Sequence, residues 1–189
     1  MLLLSRENIK QVFTMAEAIE ADKTAFRLFS EGKTDVPLRT QIVSEKQNGT
    51  FLFMPSYAPD LDAAAVKIIN IFPDNIEKGL SSAPAQVLLV DGKTGYINAL
   101  LDGVTVTQFR TGAASGVAFD VLGRKDAKKG ALIGTGGQAE TQLEAMVCAR
   151  DLDTVAVFDQ NPERTKAFAE KMNAALKPVS YTHLTLPTN

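Results

Sequence analysis

The sequence predicts an α/β protein in two parts: a mixed α/β domain over residues 1–125, then the first part, truncated, of a doubly wound parallel domain over 126–179. Two observations carry this reading. Between residues 39 and 101 short extended apolar runs are joined by turn residues, which suits a mostly antiparallel sheet. From Lys129 onward, short apolar runs alternate with helical stretches, the βαβα order of a parallel sheet.

The first part opens on a helix over 15–31. Ala18, Ile19, Asp22, Ala25, Phe26 and Phe29 follow helical spacing with one polar intruder, and Gly32 marks the stop. Runs at 39–44 and 50–54, separated by the polar turn at 46–49, predict a hairpin. A longer apolar run at 63–72 ends at Pro73-Asp74-Asn75. A second hairpin joins 85–90 to 96–101 through Asp91-Gly92-Lys93-Thr94-Gly95. After Gly103 the period becomes helical again, with Val106, Phe109, Ala113, Val117 and Val121 on one stripe and Gly123 closing it.

The second part predicts strands at 131–133 and 154–158 and helices at 138–150 and 162–176. Asn161 is a good N-cap, and Pro162 sits at the first helical position, where its missing N–H costs nothing. A third strand should follow. Residues 180–189 instead show no strand pattern and read as a non-native tail, so His183, the only histidine, receives no catalytic role.

Composition narrows the function. A chain of 189 residues that is 45% hydrophobic and 22% charged can build a core, which excludes a disordered segment. Its net charge of -2 offers no footprint for nucleic acid. Cys148, alone among apolar neighbours, excludes an internal disulfide, fits a reducing compartment and reads as a buried, inert thiol. Met1-Leu2-Leu3-Leu4 is too short for a signal peptide or a membrane span, so a cytoplasmic protein without a membrane partner is expected.

Gly134-Thr135-Gly136-Gly137-Gln138-Ala139 is a G-x-G-x-x-A sequence between a predicted strand and a predicted helix. Gly134 permits the tight turn, Gly136 lets the backbone approach a pyrophosphate, and Ala139 allows helix and strand to pack closely. The N–H groups and dipole at the helix start then attract the phosphates. Asp159 ends the next strand, at the distance beyond the glycines where a carboxylate accepts hydrogen bonds from adenine ribose hydroxyls. Its charge repels a 2′-phosphate, so NAD is favoured over NADP, with Arg164 as a mild counter-argument. Together these features predict a Rossmann NAD-binding domain.

Within 63–72, Lys67 shares a strand face with Ala65, Ile69 and Ile71. An amine among apolar neighbours can serve as a proton carrier, although an edge-strand lysine that blocks aggregation would look the same. Arg39 and Arg110 could pair with a carboxylate or phosphate; either could equally be a surface arginine.

The series Leu88-Leu89-Val90-Asp91-Gly92-Lys93-Thr94-Gly95, Ala99-Leu100-Leu101-Asp102-Gly103 and Thr105 through Arg110-Thr111-Gly112-Ala113-Ala114-Ser115 resembles the signature of the ornithine cyclodeaminase–mu-crystallin family. Pro37-Leu38-Arg39, Met54-Pro55, Val66-Lys67 and the glycine loop fall in the matching order, so the resemblance covers residues 1–179. It implies that the first part is a substrate-binding and homodimerisation domain. Arg39 and Arg110 would hold a substrate carboxylate, and Lys67 would exchange a proton with the reacting amine or imine. Thr111 joins the glycine loop and Asp159 as a cofactor residue. The expected activity is NAD-dependent ornithine cyclodeamination, giving proline and ammonia from a small amino-acid substrate. Alanine dehydrogenation, cyclic imine reduction and a non-catalytic crystallin-type NAD(P)H binder are the alternatives.

Overall fold

Leu2–Leu4 forms a short strand, β1, and Ser5 then starts helix α1 (Arg6–Val12) with a reciprocal capping box to Asn8. Helix α2 (Met15–Ser30) follows and ends where Gly32 adopts a left-handed φ of 68°. Strands β2 (Thr40–Ser44), β3 (Gly49–Ala58), β4 (Ala63–Ile71), β5 (Ala85–Asp91) and β6 (Ile97–Asp102) lead into helix α3 (Gly103–Leu122). Then come β7 (Lys129–Ile133), α4 (Ala139–Ala149), β8 (Thr154–Phe158), α5 (Pro162–Ala175) and β9 (Ser180–His183). The computed structural model describes residues 1–176 and 180–183; residues 177–179 and 184–189 lie outside it.

The chain divides into two compact units. One comprises Met1–Phe13 with Thr24–Thr107, the other Thr14–Lys23 with the chain from Gln108 onward. The division therefore falls inside α3, not at the expected 125/126. Its cause is the packing of the second half of α3 on α4: a Cβ at Gly112 would lie 2.5 Å from the Thr141 carbonyl oxygen, and one at Gly116 would meet Ile19 and Ala145. Such close approach binds that half of α3 to the second unit.

The first unit holds a six-stranded sheet in the order β1-β6-β5-β4-β3-β2, antiparallel except for the parallel pairing of β1 with β6. Both predicted hairpins form. Asp91 holds the second one by accepting from the Lys93 and Thr94 backbone N–H groups and the Thr94 hydroxyl. Strand β1 is an addition: three leucines beside Met1 carry no alternation to announce a strand. The Asp102 side chain accepts the Thr105 N–H at 2.7 Å. It thereby caps the first turn of α3.

In the second unit β7, β8 and β9 form a parallel sheet in that order. Its core gathers Leu143, Met146, Val155, Val157, Phe168, Ala169 and Met172. The Asn161 side chain accepts the Arg164 N–H as expected of an N-cap. Strand β9 corrects the expectation that nothing after α5 is a strand; Ser180–His183 pairs in register with Thr154–Val157. The remainder of the expected non-native tail, 184–189, lies outside the described residues. Arg150 ties α3 to the end of α4, donating to the carbonyl oxygens of Asp120, Gly123 and Arg124 and to the Asp120 carboxylate.

Three side-chain placements differ from the periodicity. On α2, Leu28 is buried while Phe26 and Phe29 are exposed. On α3 the buried stripe runs through Thr105, Phe109, Gly112, Ala113 and Gly116, leaving Val121 exposed. Cys148 is exposed, not buried. Partial burial, helped by the charge of Glu144, still pushes its thiol above the usual range, which keeps it protonated and unreactive. Among the described residues no helix is long and apolar enough to cross a membrane.

Candidate functional site

Gly134 takes a φ of 95°, a conformation that side chains rarely adopt. Its N–H donates to the Phe158 carbonyl at 2.7 Å. The turn is thereby hinged on the end of β8. Gly136 and Gly137 are exposed, with no atom within 4 Å of where a Cβ would stand, so a ligand can approach their backbone. Ala139 is buried at the helix start. The first turn of α4 carries no side-chain cap from Gln138, and the Ala139 N–H donates to the Gly136 carbonyl at 2.9 Å; a helix start of this kind suits an anion. An open cavity of about 260 Å³ lies over this loop, lined by Leu132, Ile133, Gly134, Gly136, Gly137, Gln138, Ala139 and Gln142.

Asp159 sits beside it. Its Oδ2 accepts the Thr135 N–H at 2.8 Å and the Thr135 hydroxyl at 2.7 Å, and its Oδ1 accepts the Asn161 N–H at 3.0 Å. These bonds, that from the Asn161 N–H foremost, hold the carboxyl down at about 2. A second cavity of about 390 Å³ is lined by Ile133, Gly134, Phe158, Asp159, Gln160 and Arg164.

Because its pKa is depressed on folding, Asp159 contributes stability above the ordinary carboxylate pKa and loses it as pH falls from about 4 towards 2. Asp159→Asn has no such contribution to lose. Its melting temperature should therefore drop less between about pH 5 and about pH 2.5 than that of the wild type. An equal or larger drop would mean the ionised carboxylate does not brace the loop.

Two amide side chains extend the site onto α3, and neither carries a mark in the sequence. Gln108 donates to the Gly137 carbonyl at 2.9 Å, and Gln142 donates to the Thr111 carbonyl at 3.0 Å. The Thr111 hydroxyl is buried and has no hydrogen-bond partner. A buried donor left unpaired is costly, and a phosphate or amide oxygen of a nucleotide would satisfy it. The residues present thus fit a dinucleotide. Arg164 adds a donor at the rim, its Nη2 lying 3.3 Å from the Thr135 carbonyl and 3.9 Å from Asp159.

In the first unit, Lys67 stands on β4, half-buried and opposite Met54 of β3 and Val87 of β5. Strand β4 is interior, so the edge-strand reading of Lys67 fails. Arg39 lies one residue before β2, is exposed, and falls opposite Met54 when the β2–β3 register is carried one step. Residues directly opposite in an antiparallel pair share a face. With the register so carried, Arg39 and Lys67 would share a face two strands apart, or roughly 10 Å. Arg110 belongs to the second unit, exposed on α3. Nearby Asp22, the polar intruder on α2, has its carboxyl raised by burial, an effect the charge of Arg110 opposes. Among the described residues no cluster of His, Cys, Asp and Glu could hold a metal ion.

A parallel strand–glycine loop–helix with an acidic residue closing the next strand defines a Rossmann-type dinucleotide-binding protein. The chain belongs to the ornithine cyclodeaminase/mu-crystallin family, whose model it matches over residues 1–182. It is 34% identical over 183 residues to a Δ1-pyrroline-2-carboxylate reductase of Bacillus cereus, covering 97% of this chain and 56% of the relative. Among solved structures, the Thermococcus litoralis Δ1-pyrroline-2-carboxylate reductase, in complex with NADH and L-proline, is 46% identical with a TM-score of 0.89, over 97% of this chain and 57% of that one. An archaeal alanine dehydrogenase dimer with bound NAD is 32% identical with a TM-score of 0.88, over 98% of this chain and 56% of that one. The chain spans about half the length of the curated relatives it matches. These findings correct the expected activity. The relatives are a cyclic imine reductase and an amino-acid dehydrogenase, both oxidoreductases, so an ornithine cyclodeaminase acting as a lyase is not the reading they support.

Proposed function

We propose that the whole protein is an NADH-dependent reductase of a small cyclic imino acid, with Δ1-pyrroline-2-carboxylate as substrate and proline as product. The observation that carries this is the 46% identity, over nearly all of the chain, to a reductase solved with NADH and L-proline. The glycine loop, Thr111 and Asp159 would hold the dinucleotide, with the Asp159 charge favouring NAD over NADP.

When bound, the reduced nicotinamide supplies the hydride taken up by the imine carbon. The remaining work falls to side chains. Arg39 pairs with the substrate carboxylate through two parallel N–H donors, which fixes the ring plane. Lys67, on the same sheet face, gives its proton to the imine nitrogen, drawing electrons from the C=N bond as the carbon is reduced. Solvent then reprotonates the amine. Arg110 is assigned to the carboxylate on the family resemblance. Alanine dehydrogenation is the second reading, supported by the archaeal dehydrogenase likeness; an imine conjugated to a carboxylate is common to both reactions.

A homodimer is part of the same proposal. The first unit exposes Leu38, Ile42, Val43, Tyr57, Ile71 and Ile97, and the alanine dehydrogenase to which the chain is 32% identical is a dimer.

The test is turnover. The complete protein, given Δ1-pyrroline-2-carboxylate and NADH, should consume one NADH for each proline formed. NADH consumption only with pyruvate and ammonia would move the assignment to the dehydrogenase, and none with either pair would remove the enzymatic reading.

A further inference from the structure

The assignment of a nucleotide to Asp159 leaves open how strongly that carboxylate can hold the ribose, and the hydrogen bonds around it bear on this. A carboxylate offers about four lone-pair positions, two on each oxygen. On Asp159 three are already filled: both on Oδ2, by the N–H and the hydroxyl of Thr135, and one on Oδ1, by the Asn161 N–H. Only one acceptor position remains, on Oδ1. The adenine ribose of NAD presents two adjacent hydroxyls, and a bidentate grip needs one free position on each carboxylate oxygen.

Of the three donors, two are backbone N–H groups fixed by the loop. The Thr135 hydroxyl alone can turn away by rotation about χ1. We propose that Thr135 is a specificity-determining residue of the nucleotide site: its hydroxyl competes with the ribose for Oδ2 and so weakens the discrimination between NADH and NADPH. This rests on the reading of the glycine loop as an NAD site. The consequence is specific to the ribose 2′ position. A free 2′-hydroxyl gains when Oδ2 is vacated, whereas a 2′-phosphate, which brings no donor, meets only a barer negative charge. Arg164, 3.9 Å from Oδ2 and tethered to the Thr135 carbonyl, sits where it offsets part of that charge for either cofactor.

The experiment measures dissociation constants of NADH and NADPH by calorimetry on the complete protein carrying Thr135→Val or Thr135→Ser. Valine keeps the β-branched shape and removes the hydroxyl. It should tighten NADH by about three- to tenfold, the worth of one hydrogen bond no longer displaced, without tightening NADPH, so the preference for NADH rises. Serine keeps the hydroxyl and should return the preference to the wild-type value. A valine variant with an unchanged preference, or with both cofactors weakened together, overturns the proposal and makes Thr135 a strut of the loop. A serine variant that behaves like valine also overturns it. Wild-type protein that binds neither nucleotide removes the NAD reading itself, a result distinct from either of these.

Discussion

Replacing Lys67 by methionine should lower imine reduction by roughly 10²–10⁴-fold, the usual worth of a positioned proton donor, while leaving NADH affinity unchanged. The residue lies on an interior strand of the sheet, half-buried between Met54 and Val87. An amine there has no role in shielding a sheet edge, which is the reason for giving it chemical work. Methionine preserves most of the volume, so the loss should appear in kcat. Turnover and affinity are read separately, by NADH absorbance under saturating substrate and by fluorescence titration. A variant retaining more than half its turnover would return Lys67 to a packing role.

Gly112→Val should be the most damaging single substitution for the second unit. A Cβ at position 112 would fall 2.5 Å from the Thr141 oxygen and 2.8 Å from its carbonyl carbon, both backbone atoms with no side-chain freedom to give way. Helices α3 and α4 would have to separate, at a cost of about 3 kcal/mol or more, or roughly 10 °C in Tm for a chain of this size. The displacement also pulls on the Gln142 bond to the Thr111 carbonyl, so nucleotide affinity falls too. Gly136→Ala provides the contrast. No atom lies within 4 Å of its Cβ position, so the melt should hardly move. The added methyl group should nonetheless block the phosphates and abolish binding. A Gly112→Val chain that melts like the wild type would show that the helix crossing is not as tight as described.

How far the sequence reaches depends on whether a feature is local. Strand β8 is legible at both ends, and Asn161 as a cap, because β-branched runs and capping residues act over a few positions. The tight turn at Gly134 and the place of Asp159 just after β8 are legible for the same reason, as each answers a local demand of the chain. Pairing partners are not. Whether Lys67 sits on an edge or an interior strand depends on the order β5-β4-β3, which no run of residues states. The parallel docking of Leu2–Leu4 on β6 and of Ser180–His183 on β8 is long-range in the same way. Gln108 and Gln142 escape the sequence because a glutamine bonding to a carbonyl far along the chain has no local signature. The choice of reaction is beyond reach for a chemical reason: a carboxylate-binding arginine and a proton-carrying lysine serve a cyclodeaminase, a dehydrogenase and an imine reductase alike.

Deuterium transfer tests the proposed function most directly. The complete protein is incubated with Δ1-pyrroline-2-carboxylate and NADH carrying deuterium at both C4 positions of the nicotinamide, and the product is weighed by mass spectrometry. Direct reduction of the imine predicts proline one mass unit heavier, with the label on the α-carbon and one labelled proline for each NADH consumed. Unlabelled proline, or no proline while pyruvate and ammonia yield labelled alanine, would contradict it.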